Sequence, residues 1–64
     1  MAEPVRIDDV KCIAETDSAI LCEIDGDEVW LPLSQVSDDS EVYCKGDEGT
    51  LIISAWIASQ KNLG

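Results

Sequence analysis

The chain has no histidine, only four Lys and Arg in 64 residues, and no apolar run approaching the ~18 residues of a membrane-spanning helix. Without histidine it lacks the commonest general base and the commonest metal ligand. Cysteine is present without the spacing its chemistry needs. Cys12, Cys22 and Cys44 are odd in number and widely separated, with no Cys-x-x-Cys pair, which excludes the usual zinc patterns and a secreted disulfide framework. All three are expected to be reduced, buried thiols packing as small hydrophobes. The opening Met1-Ala2-Glu3-Pro4 has neither a basic segment nor an apolar run behind it, so no secretory signal is expected and the protein is read as soluble and cytoplasmic.

What the chain has in abundance is negative charge. Fourteen Asp and Glu oppose the four cations, for a net charge of -10. Apolar residues still make up 45%, which places the chain among folded proteins and not among disordered acidic tails. Its length suits one domain, 1–64, and a domain of this size buries only about 60% of the surface its unfolded chain exposes.

Hydrophobic alternation predicts a mainly β, α+β fold of about five short antiparallel strands. Val5 and Ile7 are in one phase and Val10, Cys12 and Ala14 in the other, so Asp8-Asp9 is expected to be a bulge in the first strand. A turn at Thr16-Asp17-Ser18 follows. Asp25-Gly26 separates Ile20–Ile24 from Glu28–Leu31 and is the strongest hairpin signal in the chain. As a two-residue loop it sets Leu21 opposite Trp30, Cys22 opposite Val29, and Glu23 opposite Glu28, like charge facing like. Pro32 ends this strand or lies on a sheet edge. Ser34-Gln35-Val36 reads as one helical turn capped by Ser34. Glu41–Lys45 and Thr50–Ile53 read as the fourth and fifth strands around a Gly46–Gly49 loop. Ser54 is placed to cap a closing helix through Leu63, with Ile53, Trp56, Ile57, Gln60 and Leu63 along one face and Lys61 near its C-terminus. The expected architecture is a bent meander or half-open barrel closed by that helix.

Catalysis fits these residues poorly. A cysteine nucleophile needs a cationic or imidazole partner, and all three cysteines fall inside expected strands. The adjacent carboxylates at Asp8-Asp9, Asp38-Asp39 and Asp47-Glu48 point to opposite strand faces or lie in solvated turns. Asp25-Gly26-Asp27-Glu28 superficially resembles the start of a calcium loop, but the fifth position is Val29, where the motif requires an oxygen ligand. No enzyme activity, cofactor or metal site is expected, beyond weak binding of divalent cations to the acidic surface.

Direct binding to nucleic acid or to anionic lipid is disfavoured by charge, since Arg6, Lys11, Lys45 and Lys61 are scattered among opposing carboxylates. Reversed, the same argument favours a basic partner. Glu23, Asp25, Asp27, Glu28, Asp38, Asp39, Glu41, Asp47 and Glu48 fall on expected hairpin tips and exposed strand faces. There they can stand in for a row of phosphates before a basic groove. A solvated, solubilising surface is the plainer account of each one alone. Of the two tryptophans, at least one is expected in the core, and Trp30, beside Pro32, is the better interface anchor.

The runs Glu23-Ile24-Asp25-Gly26-Asp27-Glu28-Val29-Trp30-Leu31-Pro32-Leu33-Ser34-Gln35 and Gly46-Asp47-Glu48-Gly49-Thr50-Leu51-Ile52-Ile53-Ser54-Ala55-Trp56-Ile57-Ala58 resemble a family of small phage and prophage proteins. In that family Val-Trp-x-Pro-x-Ser-Gln precedes a Gly-x-x-Gly-Thr-Leu hairpin and a Trp-containing helix. The resemblance covers about two thirds of the chain and implies a setting in the host cytoplasm, without implying a biochemical role. The chain departs from it at Asn62, where the family more often has Gly, which implies a changed helix cap.

Two functions are expected as alternatives. One is an inhibitor similar in class to acidic, DNA-mimicking anti-CRISPR proteins, occupying a basic nucleic-acid-binding host protein such as a CRISPR surveillance complex. The other is an accessory or structural protein of a phage replication or recombination assembly, held by an apolar surface around Trp30. Monomer and homodimer both remain open. From Thr50 onward there is no acidic residue, so a charged binding surface is expected on the hairpins and not on the terminal helix.

Overall fold

The computed structural model describes residues 3–63 and is mainly β, with four antiparallel strands and one short C-terminal helix. The opening Met1-Ala2, read above for a secretory signal, lies outside the described residues. In chain order come β1 (Val5–Glu15), β2 (Ala19–Ile24), β3 (Asp27–Pro32), a 3-10 turn (Leu33–Gln35), β4 (Glu48–Ile53) and α1 (Ala55–Gln60). The sheet order is β3-β2-β1-β4. The first three strands therefore form a meander, and β4 returns to the far side of β1. One bridge, Val36 to Ile53, ties the chain just after β3 to β4, so the open sheet curls toward a barrel.

β1 is long and bent. Against β4, Ile7 pairs with Leu51 and Val10 with Gly49, so Asp8 and Asp9 together face the single residue Thr50. This is the expected bulge, and Asp9 takes a positive φ of 58° to make it. The extra residue switches side-chain phase. Val5 and Ile7 before it, and Val10 and Cys12 after it, all pack on one core with Ile20, Leu31, Leu51 and Ile53. A second irregularity, between Cys12 and Ala14 against β2, has no forerunner in the sequence pattern.

The β2–β3 hairpin has the expected register throughout, from Ile24 opposite Asp27 to Ile20 opposite Leu31. Asp25 and Gly26 have φ of 56° and 86°, the two positive angles that a tight hairpin turn matching strand twist requires. Thr16 makes the preceding turn, its amide donating to the Ala19 carbonyl and its Oγ1 accepting from the Ala19 amide. Pro32 ends β3, an edge strand, as expected.

Glu41–Lys45, expected to be a strand, is not one. It runs beside β4, but side-chain oxygens replace the backbone ladder there. The Thr50 amide donates to Glu41 Oε1 (2.9 Å) and the Ile52 amide to Ser40 Oγ (3.1 Å). The Glu41 and Ser37 amides bond the Thr50 and Ile52 carbonyls. Asp47 Oδ2 then accepts from the Tyr43 and Cys44 amides, which curls the chain into a turn at Cys44–Asp47. The expected Gly46–Gly49 loop is correspondingly shorter, because Glu48 and Gly49 already belong to β4. Val42 stays fully buried despite the loss of strand geometry.

The 3-10 turn starts at Leu33, one residue earlier than expected, and Ser34 does not cap it. Ser54 does cap α1, accepting from the Ile57 amide (3.3 Å). The helix ends at Gln60 instead of Leu63. Asn62 adopts φ 57°, while the Leu63 amide reaches back to the Ala58 carbonyl and that of Asn62 to Ser59. This is a left-handed helix terminus of the kind glycine usually makes, completed by the contact of Leu63 with the core. Trp56 and Gln60, expected on the buried face, point outward, and the buried helical residues are Ile57 and Ala58.

Gly49 locks the junction of β1, β4 and the 40–42 segment. Its φ is 144°, and a Cβ there would stand 2.9 Å from Glu41 Oε1, the atom that holds the Thr50 amide. Gly49→Ala should therefore lower stability by about 1–2 kcal/mol, moving the thermal midpoint down by about 4–8 °C per kcal/mol. An unchanged midpoint in a calorimetric scan would show that neither Glu41 nor this backbone is constrained.

Candidate protein-interaction surface

Carboxylates from distant parts of the sequence converge at one end of the sheet. The bulge supplies Asp8 and Asp9, the hairpin supplies Glu23, Asp25 and Asp27, and all five line one open groove. Its floor is apolar, with Ile7, Ile24, Val29 and Leu63, and Lys61 and Asn62 complete the rim. The residues after α1, expected to lie away from any charged surface, thus form one of its walls.

On the solvent face a second acidic feature crosses the whole sheet. Glu28 pairs with Glu23, Glu23 with Lys11, and Lys11 with Glu48, so a row of three carboxylates and one ammonium spans β3, β2, β1 and β4. Paired residues share a sheet face and adjacent strands lie about 4.8 Å apart. Asp9, Lys11, Glu23 and Glu48 also line a shallow groove together. Lys11, flanked by Glu23 and Glu48, offsets part of the repulsion that would otherwise weaken this row.

The other sequence-predicted positions are distributed differently. Asp38 and Asp39 sit exposed in a turn after the 3-10 segment and line neither acidic groove. Glu41 and Asp47 spend side-chain oxygens on backbone amides, so both serve the fold. Trp30 is 45% exposed and borders an apolar groove with Leu31, Pro32 and Leu33. Trp56 is 61% exposed, against the expectation that one tryptophan would be core, and it walls a separate groove with Pro4, Val36 and Ile53. Trp56 turns outward because the six-residue helix buries Ile57 and Ala58 instead.

Of the cysteines, Cys12 and Cys22 are buried, directly paired across β1 and β2. Cys44 is exposed in the Cys44–Asp47 turn, contrary to expectation, because the segment around it is not a strand. Burial raises the Cys12 thiol above its ordinary 9.0. Burial, reinforced by Cys12, pushes the Cys22 thiol up to about 12. Such thiols stay protonated and are poor nucleophiles. Among the described residues, no three His, Cys, Asp or Glu side chains are placed to hold a metal ion, and no helix is long and apolar enough to cross a membrane. No protein family, curated protein or solved structure matches the chain.

The raised Cys22 pKa has a definite sign for stability. The folded state holds this proton more tightly than the unfolded state does, so the contribution is complete below pH 9.0 and is lost as the pH rises toward about 12. Cys22→Val, which keeps an apolar group of similar size, should show a shallower alkaline decline in urea-denaturation midpoint than the parent, with the two differing little at neutral pH. Parallel declines for the two proteins would contradict this assignment.

Proposed function

We propose that the chain is a non-enzymatic, acidic inhibitor that occupies the nucleic-acid-binding surface of a basic host protein, its carboxylates taking the place of phosphates. The observation that carries this proposal is convergence. Asp8, Asp9, Glu23, Asp25, Asp27 and Glu48 come from three separate stretches of the chain and border two grooves that share Asp9 and Glu23. Among the described residues, only Lys11 and Lys61 oppose them there. A merely solubilising surface has no need of such clustering, which raises local repulsion. Each carboxylate offers acceptor oxygens to Arg and Lys, and the summed field steers a basic partner into contact.

The motif resemblance to phage and prophage proteins supports a host-cytoplasmic setting, where a CRISPR surveillance complex is one basic target of the right chemistry. A second function, as an accessory or structural protein of a phage replication or recombination assembly, is favoured by one separate observation, the exposure of Trp30 beside an apolar groove. The two differ in their response to salt, because exposed charge pairs are screened and apolar contacts are not.

Capture of partners from host lysate should retain basic, DNA-binding proteins at low ionic strength and lose them at high ionic strength or on addition of duplex DNA. Reversing Asp25, Asp27 and Glu28 together to Lys should abolish that capture. Retention that survives high salt, ignores DNA and tolerates the triple reversal would replace inhibition by mimicry with an apolar interface.

A further inference from the structure

The two edges of the sheet are treated in opposite ways. On β4, the outward amides and carbonyls of Thr50 and Ile52 are all bonded, to Glu41, Ser40 and Ser37. On β3, the tight turn makes Ile24–Asp27 a hydrogen-bonded pair, so Asp27, Val29 and Leu31 direct their backbone groups to β2. Glu28 and Trp30 direct theirs away from the sheet, and among the described residues no backbone or side-chain partner meets them there. Pro32 occupies the next outward position, where its missing N–H leaves no unmet donor.

We propose that the Glu28–Trp30 edge of β3 is a strand-addition site for an extended, basic segment of a partner protein. In this mode backbone hydrogen bonds supply affinity and alternate side chains supply specificity. A strand paired antiparallel outside β3 places the residues opposite Glu28 and Trp30 on the solvent face and turns their own backbone N–H and C=O toward β3, because opposed residues share a face and exchange both bonds. Arginine suits both positions. It meets the carboxylates of Glu28 and Glu23 at one and the exposed indole of Trp30 at the other, by ion pairing and by cation–π contact. The intervening residues of the added strand point to the other face, on the side of Val29 and Leu31, and suit small apolar side chains.

Charge selects this occupant over a second copy of the chain. Each copy carries -10, and pairing β3 with β3 brings two acidic hairpins together. Carboxylates on an edge strand are a usual protection against self-association. The same groups attract a basic segment. The proposal rests on the basic-partner function above and adds to it the mode of contact.

The test uses the full chain and the blocked peptide Arg-Val-Arg-Val-Arg-Val-Arg, with two N-methylated forms and an all-Glu counterpart in place of Arg. Methylating the Arg nitrogens removes the donors that pair with β3 but keeps every charge, and should weaken binding at least about tenfold. Methylating the Val nitrogens, which face away, should change it little. In amide exchange of the free protein, Glu28 and Trp30 should exchange faster than Val29 and Leu31, and the parent peptide should slow them. Equal binding of both methylated forms would overturn strand addition while leaving the basic-partner function standing. Binding of the all-Glu peptide as tight as that of the Arg peptide would overturn both. Protection of Glu28 and Trp30 that rises with protein concentration in the absence of peptide would assign the edge to a second copy and overturn the proposal.

Discussion

The bulge at Asp8-Asp9 is the constraint on which the rest of the structure depends. A straight strand of eleven residues would put Val5 and Ile7 on one face of the sheet and Val10 and Cys12 on the other, and one of these pairs would be stranded in water. One extra residue against Thr50 turns all four to the same core. It also bends β1 so that its first half serves β4 and its second half serves β2, and this lets so short a chain wrap around its own interior. Asp9 meets the conformational demand with φ 58°, a region that Asp tolerates better than most residues.

From this bend the surface chemistry follows. The two acidic residues that make the bulge are thrown onto the outside of the turn, into the groove beside the hairpin carboxylates. Stability and charge placement therefore share residues, as they also do at Glu41 and Asp47. A chain with a modest core accepts self-repulsion at one end of its sheet. It limits the effect with Lys11 in the middle of the acidic row and with Lys61 at the groove rim.

The unequal edges of the sheet obey the same economy of short pieces. Ser37, Ser40 and Glu41 cover β4 with single bonds in place of a fifth strand, freeing the chain to curl through the Cys44–Asp47 turn and return to β1. There the Cys12 amide donates to the Asp47 carbonyl and the Gly46 amide to the Cys12 carbonyl. At β3 no following segment among the described residues covers the edge, because the chain leaves it through Pro32 and the 3-10 turn toward the Val36–Ile53 bridge. What protects that edge is charge, which discriminates among partners in a way that a covering loop does not.

Local signals in the sequence determined those features whose cause is itself local. The Asp25-Gly26 turn set the hairpin register residue by residue, since two positive φ angles leave no other tight alignment. The phase switch in β1 announced its bulge, and Ser54 marked the start of α1. The net charge of -10, with all fourteen acidic residues placed before Thr50, also stood in the sequence alone. Tertiary structure decided the rest, for reasons that local pattern does not carry. Glu41–Lys45 alternates like a strand, but whether its backbone or its side chains satisfy β4 depends on the long-range placement of Ser40 and Glu41 against Thr50 and Ile52. Cys44 and Trp56 came out exposed because their surroundings were set by that placement and by the rotation of a very short helix. The convergence of Asp8 and Asp9 with Glu23, Asp25 and Asp27, and with the chain beyond α1, exists only after folding. Pairing β4 with β1, and not with its predecessor in the chain, is what carries α1 and the residues after it to the acidic end of the sheet.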